Sequence, residues 1–345
     1  MFVFLMILIL LIIFSLKVKI KGINEEYLSK DSTLAIKGIF VIFVFLSHVR
    51  TYTDFTLTTD KITISVLDYL GQLMVALFLF FSGYGIFEAI KAKGIKYINS
   101  IPTKRIGSTF IDFSFALLLF LIINSFIGKS YPLNHIILSF TGWTSIGNSN
   151  WYMFTIFTLY LLTYVSFKLN RNKKILGVII FTILSLIYVY VLSRLQPSRF
   201  SNTALCYTSG MWYSYFKVYI DNFFKKYNNL YYIVTFLVIA AYLIAYPYKG
   251  VRIMYFNGVS ILFCLSIIML SMKFSITSKI LKWFGVYLFW IYILQRIPMI
   301  LLSYYGLAKS SPYVYLLLTF VITLILSYYI NKFMSLLKKK IYKLN

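Results

Sequence analysis

The chain has 345 residues, of which 60% are apolar or aromatic (Ala, Val, Ile, Leu, Met, Phe, Trp, Tyr, Cys) and only 12% are Asp, Glu, Lys or Arg. A soluble domain carries roughly 25% charged residues, so a cytosolic globular enzyme, a disordered chain and a secreted disulfide scaffold are all excluded. The formal net charge of +25 would point to nucleic acid in a soluble protein, but here the basic residues stand singly between apolar runs. In that setting they set topology and meet anionic lipid headgroups.

A bilayer-spanning helix needs about 20 mainly apolar residues. In chain order, about eleven segments qualify: 1–16, 33–50, 66–90, 108–127, 150–168, 175–193, 203–219, 230–247, 254–272, 283–304 and 313–336. The first is short and lacks the basic start of a signal peptide; lysines follow it as a stop-transfer flank. The segment 203–219 is the least apolar. The runs are continuous rather than alternating, which predicts an all-α polytopic transmembrane bundle rather than a barrel. Residues 1–32 read as an added N-terminal helix with a basic cytoplasmic loop, and 33–345 as the main membrane domain. No repeat or low-complexity linker stands out, and no appended soluble domain is expected after the last helix.

With the N-terminus outside and the C-terminus cytoplasmic, 25 of the 34 lysines and arginines fall on the inner side, Arg171 among them. That excess on alternate loops fits the positive-inside rule. The longest outer loop, 128–149, holds His135 and a short apolar piece, Ile136–Phe140, suited to the membrane interface.

Ionisable groups inside spans are costly and mark functional positions. The second span opens with Asp31 and Ser32, which suit N-cap positions. It carries Lys37 near its inner end and His48 deep toward the outer side. Eleven residues separate them, about three helical turns, so they share a face roughly 16 Å apart. A snorkelling lysine and a carbonyl-bonded histidine would be the plain alternative; a histidine is also the side chain best suited to proton transfer near neutral pH. The third span ends Ser82-Gly83-Tyr84-Gly85, where small residues permit close helix packing and Ser82 and Tyr84 would line an inner cavity. Lys104 and Arg105 precede the fourth span; such a pair serves topology or lipid, or grips the phosphates of a cytosolic ligand. Asn150, Trp151 and Tyr152 open the fifth span, Trp151 as interfacial anchor or sugar platform. In the tenth span Tyr292, Gln295 and Arg296 follow one another, with Arg296 about 20 Å from the inner end, close to the depth of His48. Cys206 and Cys264 lack paired spacing, and with His48 and His135 the only histidines no metal site is expected.

This ordered set resembles the integral-membrane acyltransferase-3 family. A basic residue, ten residues and a histidine on an early helix are matched by Lys37 and His48, with lysine where arginine is common. The phenylalanine-rich Ser-Gly-aromatic stretch is matched by Phe80–Gly85, the basic pair by Lys104-Arg105 and the tryptophan-aromatic pair by Trp151-Tyr152. The near-terminal helix motif is matched at Gly285 and Ile291-Tyr292, while Leu288 replaces a common Ser and Gln295 a common His. The first helix is an addition to that family's usual ten.

The resemblance implies an O-acyltransferase of a bacterial cytoplasmic membrane. It would move an acetyl or other short acyl group from cytosolic acyl-CoA to a hydroxyl of an extracytoplasmic or lipid-linked glycan, such as a capsule or exopolysaccharide. Acetyl-CoA is then a donor substrate rather than a tightly bound cofactor. Lys37, Ser82, Tyr84, Lys104 and Arg105 would hold the donor. His48 would act as base or acyl acceptor, with Arg50, Gln295 or Arg296 at the oxyanion, and Asn150, Trp151 and Tyr292 would hold the glycan. The expected partners are acyl-CoA, the saccharide acceptor, membrane lipids and glycan-assembly machinery, with no nucleic acid. A transporter or flippase for a lipid-linked sugar is the competing class; it lacks support here from repeats or paired broken helices.

Overall fold

The computed structural model describes residues 1–170 and 173–343; Arg171 lies outside the described residues. The first half of the chain forms α1 (Phe2–Ser15), β1 (Leu16–Val18), α2 (Lys30–Val49), α3 (Asp60–Leu70), α4 (Leu73–Lys93), α5 (Ile95–Phe126) and α6 (Leu133–Ser139). The second half forms α7 (Trp151–Leu169), α8 (Lys174–Leu195), α9 (Leu205–Lys226), α10 (Asn228–Ala245), α11 (Ile253–Ser271), β2 (Phe274–Ile276), α12 (Lys279–Val286), α13 (Leu288–Tyr304) and α14 (Pro312–Lys343).

The all-α bundle expected from the sequence is what the chain forms. Among the described residues eight helices are long and apolar enough to cross a membrane, and the bent pair α12–α13 makes a ninth. The two remaining expected spans are helices of a different kind. Helix α1 has only 14 residues, short of the hydrocarbon thickness. Helix α9 is long enough but polar, because its N-terminal half is enclosed by other helices: Tyr207, Thr208, Gly210 and Ser214 are buried there. Thr208 donates to the Ser185 hydroxyl at 2.9 Å. Polar side chains satisfied by neighbouring helices need not meet lipid.

Several boundaries differ from expectation. The segment 66–90 is two helices, because Gly71 takes φ 46° and ends α3; α4 starts only at Leu73. The true N-cap of α2 is Ser29, whose hydroxyl accepts the Ser32 N–H at 3.2 Å, so Asp31 falls in the first turn, where a carboxylate favours the helix dipole. Lys104 and Arg105 lie inside α5, in a π-helical stretch from Pro102 to Gly107. The segment 283–304 bends by 62° between α12 and α13.

Two pairs of helices cross at glycines. A Cβ on Gly38 would strike the Leu281 carbonyl and one on Gly285 the Leu34 carbonyl, which clamps α2 to α12. Likewise Gly83 and Gly210 bring α4 and α9 into backbone contact at Tyr207 and Phe80. Close approach of this kind is how membrane helices gain packing energy without a hydrophobic drive. The N-terminal segment is tied to the same core: β1 pairs antiparallel with β2, Lys17 opposite Ser275, and Phe4 meets Phe320 edge-on at 5.1 Å.

Between α6 and α7 the chain folds back into the bundle rather than staying at its surface. Ile146, Asn148, Ser149 and Asn150 are all buried, and Asn124 Nδ2 donates to the Ile146 carbonyl at 2.7 Å. The short helix α6 instead exposes Leu133, Ile137 and Leu138, as suits an interface.

Candidate active site

Helix α2 presents Lys37 and His48 toward two separate cavities. Clamping of α2 against α12 through Gly38 and Gly285 fixes its rotation, so the face carrying both residues points inward.

The cavity at the Lys37 end has a volume of about 500 Å³, and its walls include Lys30, Lys37, Ser82, Tyr84, Arg105 and Tyr160. The Lys37 ammonium lies 5.3 Å from the centroid of the Phe81 ring. Arg105 donates from Nε to the Tyr97 hydroxyl at 2.9 Å. One carboxylate, Glu88, is also in the wall, but it is met by Lys91 at 2.7 Å and by the Ser214 hydroxyl at 2.8 Å. Among the described residues no ion pair involves Lys30, Lys37 or Arg105, so this cavity keeps an uncompensated positive charge. Such a wall fits phosphate groups. Of the five residues expected here, Lys37, Ser82, Tyr84 and Arg105 are brought together. Lys104 is exposed and absent from the wall.

At the His48 end the cavity has a volume of about 240 Å³, lined among others by Ser47, His48, Gln72, Trp151 and Tyr292. The Tyr292 and His48 rings lie 6.3 Å apart. Gln295, fully buried, donates from Nε2 to the Tyr292 carbonyl at 2.9 Å. Gln295 and Arg296 are the side-chain neighbours of His48. Arg296 also faces Tyr52, which follows the end of α2; burial pushes the Tyr52 phenol above its ordinary range, with the guanidinium opposing, so it meets Arg296 as a neutral group.

Two polar atoms of this wall and several on the elements behind it have no partners. His48 Nδ1, Tyr292 Oη, Gln295 Oε1 and Arg296 Nε are buried without a hydrogen bond. So are Asn148 Nδ2 and Ser149 Oγ of the infolded loop; Ser149 neighbours Tyr292, though outside hydrogen-bond geometry. Buried polar groups are almost always paired, and an unpaired one costs about 1–3 kcal/mol. His48 and Tyr292, which share one cavity wall, thus each leave a buried polar atom open to a ligand's hydrogen bond.

Two residues expected here have other tasks. Arg50 is the C-cap of α2, and its guanidinium is held by Asp68 at 2.6 Å; it does not line the His48 cavity. Asn150 spends Nδ2 on the carbonyls of Gly142, at 2.9 Å, and Trp143, at 3.3 Å, and so fixes the infolded loop. Gly142 has φ 81°, and a Cβ there would hit the Phe154 nitrogen. Asn148, Ser149, Gln72 and Tyr160 were not singled out from the sequence; the Gly-Asn-Ser-Asn run immediately before Trp151 was the available signal for the first two. Among the described residues no group of three or more His, Cys, Asp or Glu is placed to hold a metal ion.

Residues 35–332 match the family model of an acyltransferase domain. The matched range takes in every residue of both cavity walls named above except Lys30. No curated protein and no solved structure matches the chain.

Proposed function

The chain belongs to the integral-membrane acyltransferase-3 family, and on that basis we propose that it transfers a short acyl group, acetyl in the first instance, from cytosolic acyl-CoA to a hydroxyl of an extracytoplasmic or lipid-linked glycan. That it is a membrane acyltransferase follows from the family; donor, acceptor and sidedness are the proposal. The observation that carries it is the pair of cavities at opposite ends of α2, one with excess cationic charge and one with a histidine whose Nδ1 has no hydrogen-bond partner. Lys17, Lys19, Lys21, Lys30 and Lys37 cluster before and at the start of α2, a local bias that supports a cytoplasmic Lys37 end, where acyl-CoA is made.

In this scheme Lys37 and Arg105 receive the phosphates of the donor, and its thioester end reaches the His48 cavity. His48 accepts the proton of the glycan hydroxyl at a free ring nitrogen. The hydroxyl oxygen attacks the thioester carbonyl, the new C–O bond forms, the C–S bond breaks, and His48 returns the proton to the leaving thiolate. Arg296, whose Nε–H is unengaged, faces the oxyanion that develops on the carbonyl oxygen. Trp151 and Tyr292 supply ring faces and a hydroxyl for the sugar.

The test uses membranes containing the protein and acetyl-CoA labelled in the acetyl group. The proposal predicts label in the surface glycan of the producing strain, dependent on the protein. Absence of acyl-CoA-dependent label, together with failure of glycan export in cells lacking the protein, would favour sugar translocation instead.

A further inference from the structure

The two cavities have separate walls, and what stands between them is aromatic. Tyr152 lies on α7 and belongs to neither lining. Its ring meets that of Tyr292 edge-on at 5.4 Å between centroids and that of Phe78 at 6.5 Å. Tyr292 is in the wall of the His48 cavity. Tyr152 also neighbours Ser82 and Tyr160, both in the wall of the Lys37 cavity. The order from one cavity to the other is thus Ser82 and Tyr160, then Tyr152, then Tyr292 and His48. Two turns separate Tyr152 from Tyr160 on one helix, about 12 Å, and Lys37 and His48 are about 16 Å apart along another. In the scheme above, a donor held by its phosphates at Lys37 with its thioester at His48 would run along this chain of contacts, past Tyr152.

We propose that the ring of Tyr152, packed on Tyr292, is the partition between the two cavities: it yields to the thin thioester arm of the donor and closes around it. The inference rests on the acyl-CoA reading above. Tyr152 is a positioning residue. Its task is to keep water of the larger, charged Lys37 cavity from reaching the thioester beside His48. Without that barrier water replaces the glycan hydroxyl as nucleophile: its oxygen attacks the carbonyl, the C–S bond breaks, and the products are a free carboxylate and CoA thiol. Exclusion of water is a recognised means of suppressing such a side reaction. An edge-on aromatic pair suits it, since two such rings attract each other strongly enough to rest closed and weakly enough to part. The seal depends on the ring rather than the hydroxyl.

The experiment measures two rates from one preparation: label transferred from acetyl-CoA to glycan in membranes, and CoA thiol released by the purified protein given acetyl-CoA without acceptor. For Tyr152→Ala the ratio of thiol release to transfer is expected to rise several-fold over wild type, while Tyr152→Phe keeps the wild-type ratio. If Tyr152→Ala fails to accumulate, Tyr152→Leu, which fills the space but removes the ring edge, is expected to raise the ratio in the same direction. A wild-type ratio in the accumulating non-aromatic variant overturns the partition. So does a rise in Tyr152→Phe as large as that in the non-aromatic variant. Absence of acyl-CoA-dependent transfer in the wild type would instead overturn the acyl-CoA reading itself, so the two failures are distinct.

Discussion

His48 Nδ1 and Arg296 Nε are both buried without a hydrogen-bond partner, and the Arg296 charge acts on the His48 ring. One is on α2 and the other on α13, near opposite ends of the chain. An open acceptor beside an open cationic donor is what a hydroxyl nucleophile and a carbonyl oxygen would complete together.

Replacing His48 by Ala is expected to lower transfer by about 10²–10⁴-fold, the usual worth of general acid–base catalysis. His48→Gln should be equally inactive, because an amide can hydrogen-bond but cannot take the proton. Accumulation of both variants at wild-type levels in the membrane, with retention of acetyl-CoA binding, separates loss of chemistry from loss of fold.

Arg296 and Arg50 should behave differently, although both are arginines toward the same end of the bundle. Arg296→Gln removes the free donor and is expected to lower kcat by about 10²–10³-fold, in the range for one oxyanion donor, with KM for acetyl-CoA little changed. Arg50 is engaged with Asp68, whose side chain is 61% exposed. Exposed pairs contribute about 0–1 kcal/mol, so Arg50→Ala should cost less than about fivefold. Steady-state rates across acetyl-CoA concentration decide both.

At the other cavity, Lys37→Ala and Arg105→Ala should raise KM for acetyl-CoA more than they lower kcat. The same variants should be nearly indifferent when the donor is an acetyl thioester of a short, phosphate-free thiol, since their charge then has nothing to meet. Equal impairment with both donors would remove the phosphate contact.

The glycine crossings make a stability prediction. Gly38→Ala and Gly83→Ala each put a methyl against a backbone carbonyl and should destabilise by about 1–3 kcal/mol, the range for overpacking. Gly258, on α11, has nothing within 4 Å of a built Cβ; there alanine should leave the unfolding temperature in detergent unchanged or slightly raised, as helix propensity favours it.

How much of this was legible beforehand depended on the kind of signal. Continuous apolar runs gave the helical membrane architecture directly. Lys37 and His48 were singled out by helical spacing and Arg296 by the cost of a charge in a membrane, and the structure puts Lys37 and His48 in two cavity walls. The polarity of 203–219 was visible in the sequence, but its reason, enclosure of Tyr207, Thr208 and Ser214 by other helices, is a tertiary fact with no local trace. The break at Gly71 and the bend after Val286 were missed for a similar reason: a single glycine or tyrosine inside an apolar run does not announce a change of direction. Arg50 and Asn150 were the right residue types in the right region, but Asp68 and the Gly142 carbonyl claim them, and only the folded arrangement brings those partners close. Tyr152 was read as half of a motif, and its place between two cavities could not be seen until both existed.

In the proposed reaction donor and acceptor use opposite ends of one bundle. Sealed vesicles of the two orientations, given labelled acetyl-CoA, which does not cross the bilayer, distinguish those ends. Label should enter glycan only in vesicles that expose the Lys37 end to the medium, and His48→Ala should abolish it there. Equal labelling from both orientations, or full labelling with His48→Ala, would rule this arrangement out.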